Sequence, residues 1–121
     1  THATELLESK PYRPGCWAPS KELAGAIAQV QGTVASAVEN LSCRINPSDK
    51  EGNPTGEEIF NYQPKSYLVI GSMDEFVSSN GVNKDKLRSF ELLRKNILNP
   101  EIITFDELYE RAKFIVHNNQ N

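Results

Sequence analysis

Tyr67-Leu68-Val69-Ile70-Gly71 is a continuous apolar run closed by a glycine and preceded by Gln63-Pro64-Lys65-Ser66. Turn formers at both ends and apolar side chains at successive positions describe a strand covered on both faces, which places it at a sheet centre. Downstream, Asn83 offers an N-cap to a helix with Leu87, Phe90, Leu93 and Ile97 on its inner side, halting near Pro100. Glu101 to Phe105 reads as another strand, and Thr104-Phe105-Asp106-Glu107 has the capping-box spacing. That box opens a last helix with Leu108, Ala112, Ile115 and Val116 expected inside. Upstream, Ser20 caps a long helix in which Leu23, Ile27, Val30, Val34, Val38, Leu41 and Ile45 recur at helical spacing. The same helix carries Gly25, Gln29, Gly32 and Ser36 on a second stripe, with Ala24, Ala28 and Ala35 beside them. Small residues admit a close neighbour, so burial on two sides is expected. Ahead of it, Thr4 to Ser9 is a short extended segment stopped by Pro11, read as the first strand. Strand, helix, strand, helix, strand, helix is the order of an α/β fold with a mostly parallel sheet flanked by helices. Asn46 to Pro64, rich in Pro, Gly, Asn, Asp and Glu, reads as an exposed loop.

With 121 residues the chain has room for one hydrophobic core, so residues 1–116 form a single domain and 117–121 a frayed polar tail. No apolar run approaches the roughly 20 residues of a membrane span, and a soluble cytoplasmic protein without a membrane partner is expected. The sequence opens at Thr1 inside a strand-like segment, which reads as a C-terminal fragment with the N-terminal part of the fold missing. A net charge of -3 disfavours a protein that coats nucleic acid by charge alone, but a divalent cation held by carboxylates is compatible with it. Cys16 and Cys43 are too few for a disulfide framework and lack zinc-site spacing.

Glu8 and Lys10 stand two positions apart and so share one face of a strand. A carboxylate that holds a divalent metal and an ammonium that stabilises charge on phosphorus are the groups phosphodiester hydrolysis needs. One carboxylate does not complete a Mg²⁺ site, so a further ligand has to come from elsewhere. By itself the triplet equally describes a solvated strand face with a surface salt bridge of about 0–1 kcal/mol. Gln29 is the long polar side chain on the small-residue stripe; if that stripe packs on the strand, its amide reaches Glu8 and Lys10, and otherwise it is a hydrogen-bonded residue at a helix–sheet contact. Arg13 and Lys21 either touch phosphates or belong to an ordinary charged surface. Trp17 either stacks on a base or covers the core edge, and Lys84, Lys86, Arg88, Arg94 and Lys95, interleaved with Asp85 and Glu91, fit a mixed solvated face. His2 reads as a terminal residue, and Asp106 and Glu107 as helix-capping groups. Gly71-Ser72-Met73 lacks the repeat and the Lys-Ser/Thr of a phosphate loop.

Leu7-Glu8-Ser9-Lys10-Pro11, then Pro19-Ser20-Lys21-Glu22-Leu23 and Ala26-Ile27-Ala28-Gln29-Val30, resemble the C-terminal nuclease domain of the bacterial Shedu anti-phage defence proteins, a branch of the PD-(D/E)XK nucleases. Tyr67 to Gly71, Ser89-Phe90-Glu91 with Arg94, and Ile103 to Leu108 resemble that family's closing segments. The resemblance implies a restriction-endonuclease-like fold and a metal-dependent DNA endonuclease using Mg²⁺ or Mn²⁺. It makes Glu8 and Lys10 the catalytic pair, Glu8 a metal ligand and Gln29 the helix glutamine. A metal-binding Asp on a preceding strand is also implied, yet no Asp precedes Asp49, and Ser9 stands where the family often has an apolar residue. DNA and a homo-oligomer are the implied partners. Two other readings remain: a catalytically inactive nuclease fold for nucleic-acid binding or oligomerisation, and an interaction domain with a flavodoxin-like sheet and no site.

Overall fold

The computed structural model describes residues 1–45, 50–53 and 64–119. Its elements are helix α1 (Lys21–Ile45), strand β1 (Tyr67–Val69), a one-turn 3₁₀ helix (Met73–Phe76), strands β2 (Val77–Ser78) and β3 (Gly81–Val82), helix α2 (Lys84–Lys95), strand β4 (Glu101–Ile103) and helix α3 (Phe105–Asn119). The chain is thus mixed α/β with short sheets. Strands β1 and β4 run parallel with Tyr67, Leu68 and Val69 opposite Glu101, Ile102 and Ile103. Ile70 N–H continues the pairing to the Ile103 carbonyl at 3.0 Å. The parallel pairing follows from the crossover through α2, because a two-residue turn cannot return a chain to a parallel neighbour. A second pair, β2 with β3, is a short antiparallel hairpin.

All the helix starts are set by local side chains. Ser20 Oγ accepts from Leu23 N–H at 3.0 Å and donates to the Glu5 carbonyl at 2.7 Å. Asn83 Oδ1 accepts from Lys86 N–H at 3.1 Å. At α3 the capping box is reciprocal: Thr104 N–H donates to Glu107 at 3.1 Å, and Glu107 N–H to Thr104 Oγ1 at 3.4 Å. Each satisfies backbone donors that a helix leaves without internal partners. The core gathers Leu6, Leu7, Leu23, Ile27, Ile70, Phe76, Phe90 and Ile102, with the Phe76 and Phe90 rings 5.5 Å apart. Leu87, Leu93 and Ile97 of the α2 region pack on it, as their spacing predicts.

Several elements depart from the sequence reading. Thr4 to Ser9 forms no ladder; its ordered contact of strand type is an isolated antiparallel bridge between Leu7 and Pro19. Strand β1 ends at Val69 and leaves Tyr67 51% exposed, so it is not covered on both faces. Helix α1 is buried on one side: Leu23 and Ile27 enter the core, whereas Gly25, Gln29, Gly32 and Ser36 are exposed. A side chain built at Gly25 or Gly32 would meet nothing within 4 Å, so among the described residues nothing fills that stripe. In α3, Leu108, Ala112, Ile115 and Val116 are exposed rather than inside, since no described element packs over that face. Residues 117–119, expected as frayed tail, continue the helix. The loop reading for Asn46 to Pro64 falls largely on 46–49 and 54–63, outside the described residues; 50–53 are exposed.

Candidate functional site

Leu6 and Leu7 are buried, and their burial fixes the course of the next residues. Their N–H groups both donate to the Glu75 carboxylate, at 2.5 and 3.0 Å, and the Thr1 carbonyl accepts from Gly71 N–H at 2.9 Å. Gly71, at φ +65°, allows this approach: a Cβ there would lie 2.6 Å from Leu6 Cδ2 and 2.9 Å from the Thr4 carbonyl. From this anchor the chain makes a hairpin-like excursion. Glu8 N–H donates to the Ala18 carbonyl at 3.0 Å, Tyr12 N–H to the Cys16 carbonyl at 3.0 Å, and Cys16 N–H to the Arg13 carbonyl at 2.9 Å around Gly15 at φ +76°. Ser20 N–H then donates to the Leu6 carbonyl at 2.9 Å, closing the excursion where α1 begins.

On this excursion Glu8, Lys10 and Arg13 are exposed, and Lys21 is exposed at the start of α1. Glu8 Oε1 accepts from Lys21 N–H at 3.1 Å, at a helix N-terminus whose dipole favours an anion. The structure therefore brings Glu8 to the Lys21 backbone. No ion pair joins Lys10 to Glu8 among the described residues. Gln29 faces solvent two turns along α1; its carbonyl accepts from Thr33 Oγ1 at 2.9 Å, and its side chain bonds neither Glu8 nor Lys10. The packing of the small-residue stripe against the Glu8 segment, on which the reach of Gln29 depended, is not present among the described residues. No group of three or more His, Cys, Asp or Glu able to hold a metal occurs among them. The donor set here is one exposed carboxylate beside a helix N-terminus, which could supply one ligand to a cation but does not make a whole site.

Arg94 carries the strongest electrostatics. Its guanidinium donates to both oxygens of Glu107, at 2.6 and 3.0 Å, to both of Glu91, at 3.0 and 2.5 Å, and to the Ile102 carbonyl at 3.4 Å. Burial pushes the Glu107 carboxyl up, but Arg94 together with Thr104 N–H and hydroxyl outweighs it and holds the pKa down at about 2. Asp106 accepts from Met73 N–H at 3.2 Å. Glu107 thus caps α3, as its position predicts, whereas Asp106 braces α3 against Met73, a contact its position did not announce. Gly71 and Glu75 escaped the sequence reading because their partners lie some 70 residues away, and Met73-Asp74-Glu75 looks like any polar turn.

Element order defines the chain as a mixed α/β module, and it belongs to the Shedu family: the model described as "Shedu protein SduA, C-terminal" matches residues 1–109. A relative is the Shedu protein SduA of Bacillus cereus (strain B4264), 30% identical over 119 residues. That match covers 96% of this chain and 29% of the relative, so the chain spans less than a third of that protein's length. No helix among the described residues is long and apolar enough to cross a membrane.

Proposed function

We propose that this chain contributes Glu8 and Lys10 to the centre of a metal-dependent DNA endonuclease with a restriction-endonuclease-like core, acting in bacterial defence against phage in the cytoplasm. The carrying observation is the family match across residues 1–109, which contains Glu8-Ser9-Lys10 with both charged side chains exposed. A bound Mg²⁺ or Mn²⁺ would polarise the scissile phosphate and lower the pKa of an attacking water. Glu8 would be one ligand, and the second carboxylate would come from outside the described residues. Lys10 donates to a non-bridging phosphate oxygen and neutralises charge that grows there as the bond to phosphorus forms. Arg13 and Lys21, exposed on either side of the pair, hold flanking phosphates by charge, and Gln29 orients Lys10 or water once the open stripe of α1 is covered. Assembly as a homo-oligomer is supported by the uncovered apolar side chains Tyr109, Phe114, Ile115 and Val116 of α3.

The solvent-facing Gln29 and the single carboxylate favour one alternative, a nuclease fold that binds DNA or assembles without cutting. The full-length protein separates the two. Glu8→Ala and Lys10→Ala are each expected to abolish Mg²⁺-dependent DNA cleavage while leaving the circular dichroism spectrum unchanged. Cleavage retained by both variants would count against the nuclease reading.

A further inference from the structure

The excursion that carries Lys10 leans on α2 and leaves a groove of about 390 Å³ between them, lined by Pro14, Cys16, Trp17, Arg88 and Leu92 among others. This lies at the small end of the about 300–1,000 Å³ typical of ligand sites. Its walls are apolar and partly flat. Trp17 is tied to α2 by its backbone N–H, which donates to Ser89 Oγ at 3.0 Å, and Lys86 Nζ sits 4.4 Å from the indole centroid. Its rim is cationic. Arg88 is among the residues lining the groove, Lys84 lies one helical turn away on α2, and Arg13, outside the lining with its guanidinium 5.6 Å from the Tyr12 ring centroid, is exposed at the hairpin tip. Asp85 is the opposing acid, its carboxylate beside Gly15. An indole wall bordered by the Arg88 guanidinium matches a flat base beside a phosphate, while an acidic peptide offers charge without the flat face. Bases stacked within a duplex cannot enter such a groove.

We propose that this groove seats one unpaired nucleotide of a nucleic-acid strand, its base against Trp17 and Leu92 and its phosphate on Arg88, with the strand running on toward Arg13. The assignment of the occupant to a strand, rather than to a free nucleotide, rests on the nuclease reading above. Arg13 stands three positions after Lys10, at most about 10 Å of chain, so a nucleotide held here lies close to the Glu8–Lys10 segment. The groove is then a positioning subsite for the strand to be cut.

The test uses full-length protein in EDTA, so that binding is read without cleavage. A fluorescein-labelled oligo-dT of about 15 nucleotides, within the span of single-strand sites, is titrated by anisotropy, with its oligo-dA duplex and unlabelled dTMP as competitors. Trp17→Ala and Arg88→Glu are each expected to weaken oligo-dT binding about tenfold, Trp17→Phe to restore most of it, and Lys113→Glu on α3 to change it less than about twofold. Oligo-dT is also expected to slow N-ethylmaleimide labelling of Cys16, read by mass spectrometry, at least about threefold. The proposal is overturned if Trp17→Ala and Arg88→Glu bind like the parent, if Lys113→Glu loses as much as Arg88→Glu, if the duplex competes as well as the single strand, or if dTMP competes as well as oligo-dT. Because the readout needs no metal, the nuclease reading can fail through Glu8→Ala while the subsite stands, and the reverse.

Discussion

Glu75→Ala should loosen the segment that presents Glu8 and Lys10 without touching either residue. The Glu75 carboxylate is the acceptor for the N–H groups of both Leu6 and Leu7, whose side chains are 0% and 2% exposed. Hydrogen bonds to a charged acceptor are worth about 1.5–3 kcal/mol each, so two set a ceiling of about 3–6 kcal/mol. Glu75 itself is partly exposed, and relaxation lets one donor find water, which brings the expected loss to about 2–4 kcal/mol. Glu75→Gln keeps one acceptor oxygen but turns an amide NH₂ toward a backbone donor, so about half that loss is expected. Urea unfolding of the 121-residue chain, followed through its single tryptophan, measures both values. Under the proposed function, the same Ala variant of the full-length protein should cut DNA more slowly than the parent, because the segment bearing Glu8 is no longer held. A change below about 0.5 kcal/mol for Glu75→Ala would show that these two bonds do not hold the segment.

Gly71→Ala combines a left-handed backbone penalty of about 1–2 kcal/mol with a clash against Leu6 and the Thr4 carbonyl, and is expected to cost about 2–4 kcal/mol in the same urea assay. Glu107 has a folded pKa of about 2, below its ordinary 4.5. Its contribution to stability is therefore complete above about pH 4.5 and is lost as pH falls toward about 2. Glu107→Gln should be less stable than the parent at about pH 7 and should flatten the fall in urea midpoint between about pH 5 and about pH 2.5; an unchanged slope would remove Glu107 from the acid transition.

Features decided within a few residues were legible. Ser20, Asn83 and the Thr104–Glu107 box cap helices through partners three positions away, and the apolar spacing of α2 names its buried side correctly. Features decided by distant partners were not. Thr4 to Ser9 has the composition of a strand, yet its backbone donors go to Glu75 and Ala18, so it stays extended without a ladder. Periodicity marks an apolar stripe but does not say whether anything covers it, which is why α3 reads as buried in sequence and lies open in the structure. The same holds for Gln29: small neighbours advertise room, and only a facing surface would turn that room into a contact. Within the candidate site, Glu8 and Lys10 stand out by type and spacing, whereas the link from Glu8 to Lys21 N–H depends on an excursion that returns 13 residues later.

The fastening of the first residues to Gly71 and Glu75 also has a consequence for synthesis. Until Glu75 leaves the ribosome, Leu6 and Leu7 have no carboxylate to grip, and the loop that must close to reach it spans most of the eventual core. A polypeptide cut short ahead of Glu75 therefore carries Glu8 and Lys10 but leaves them unmoored.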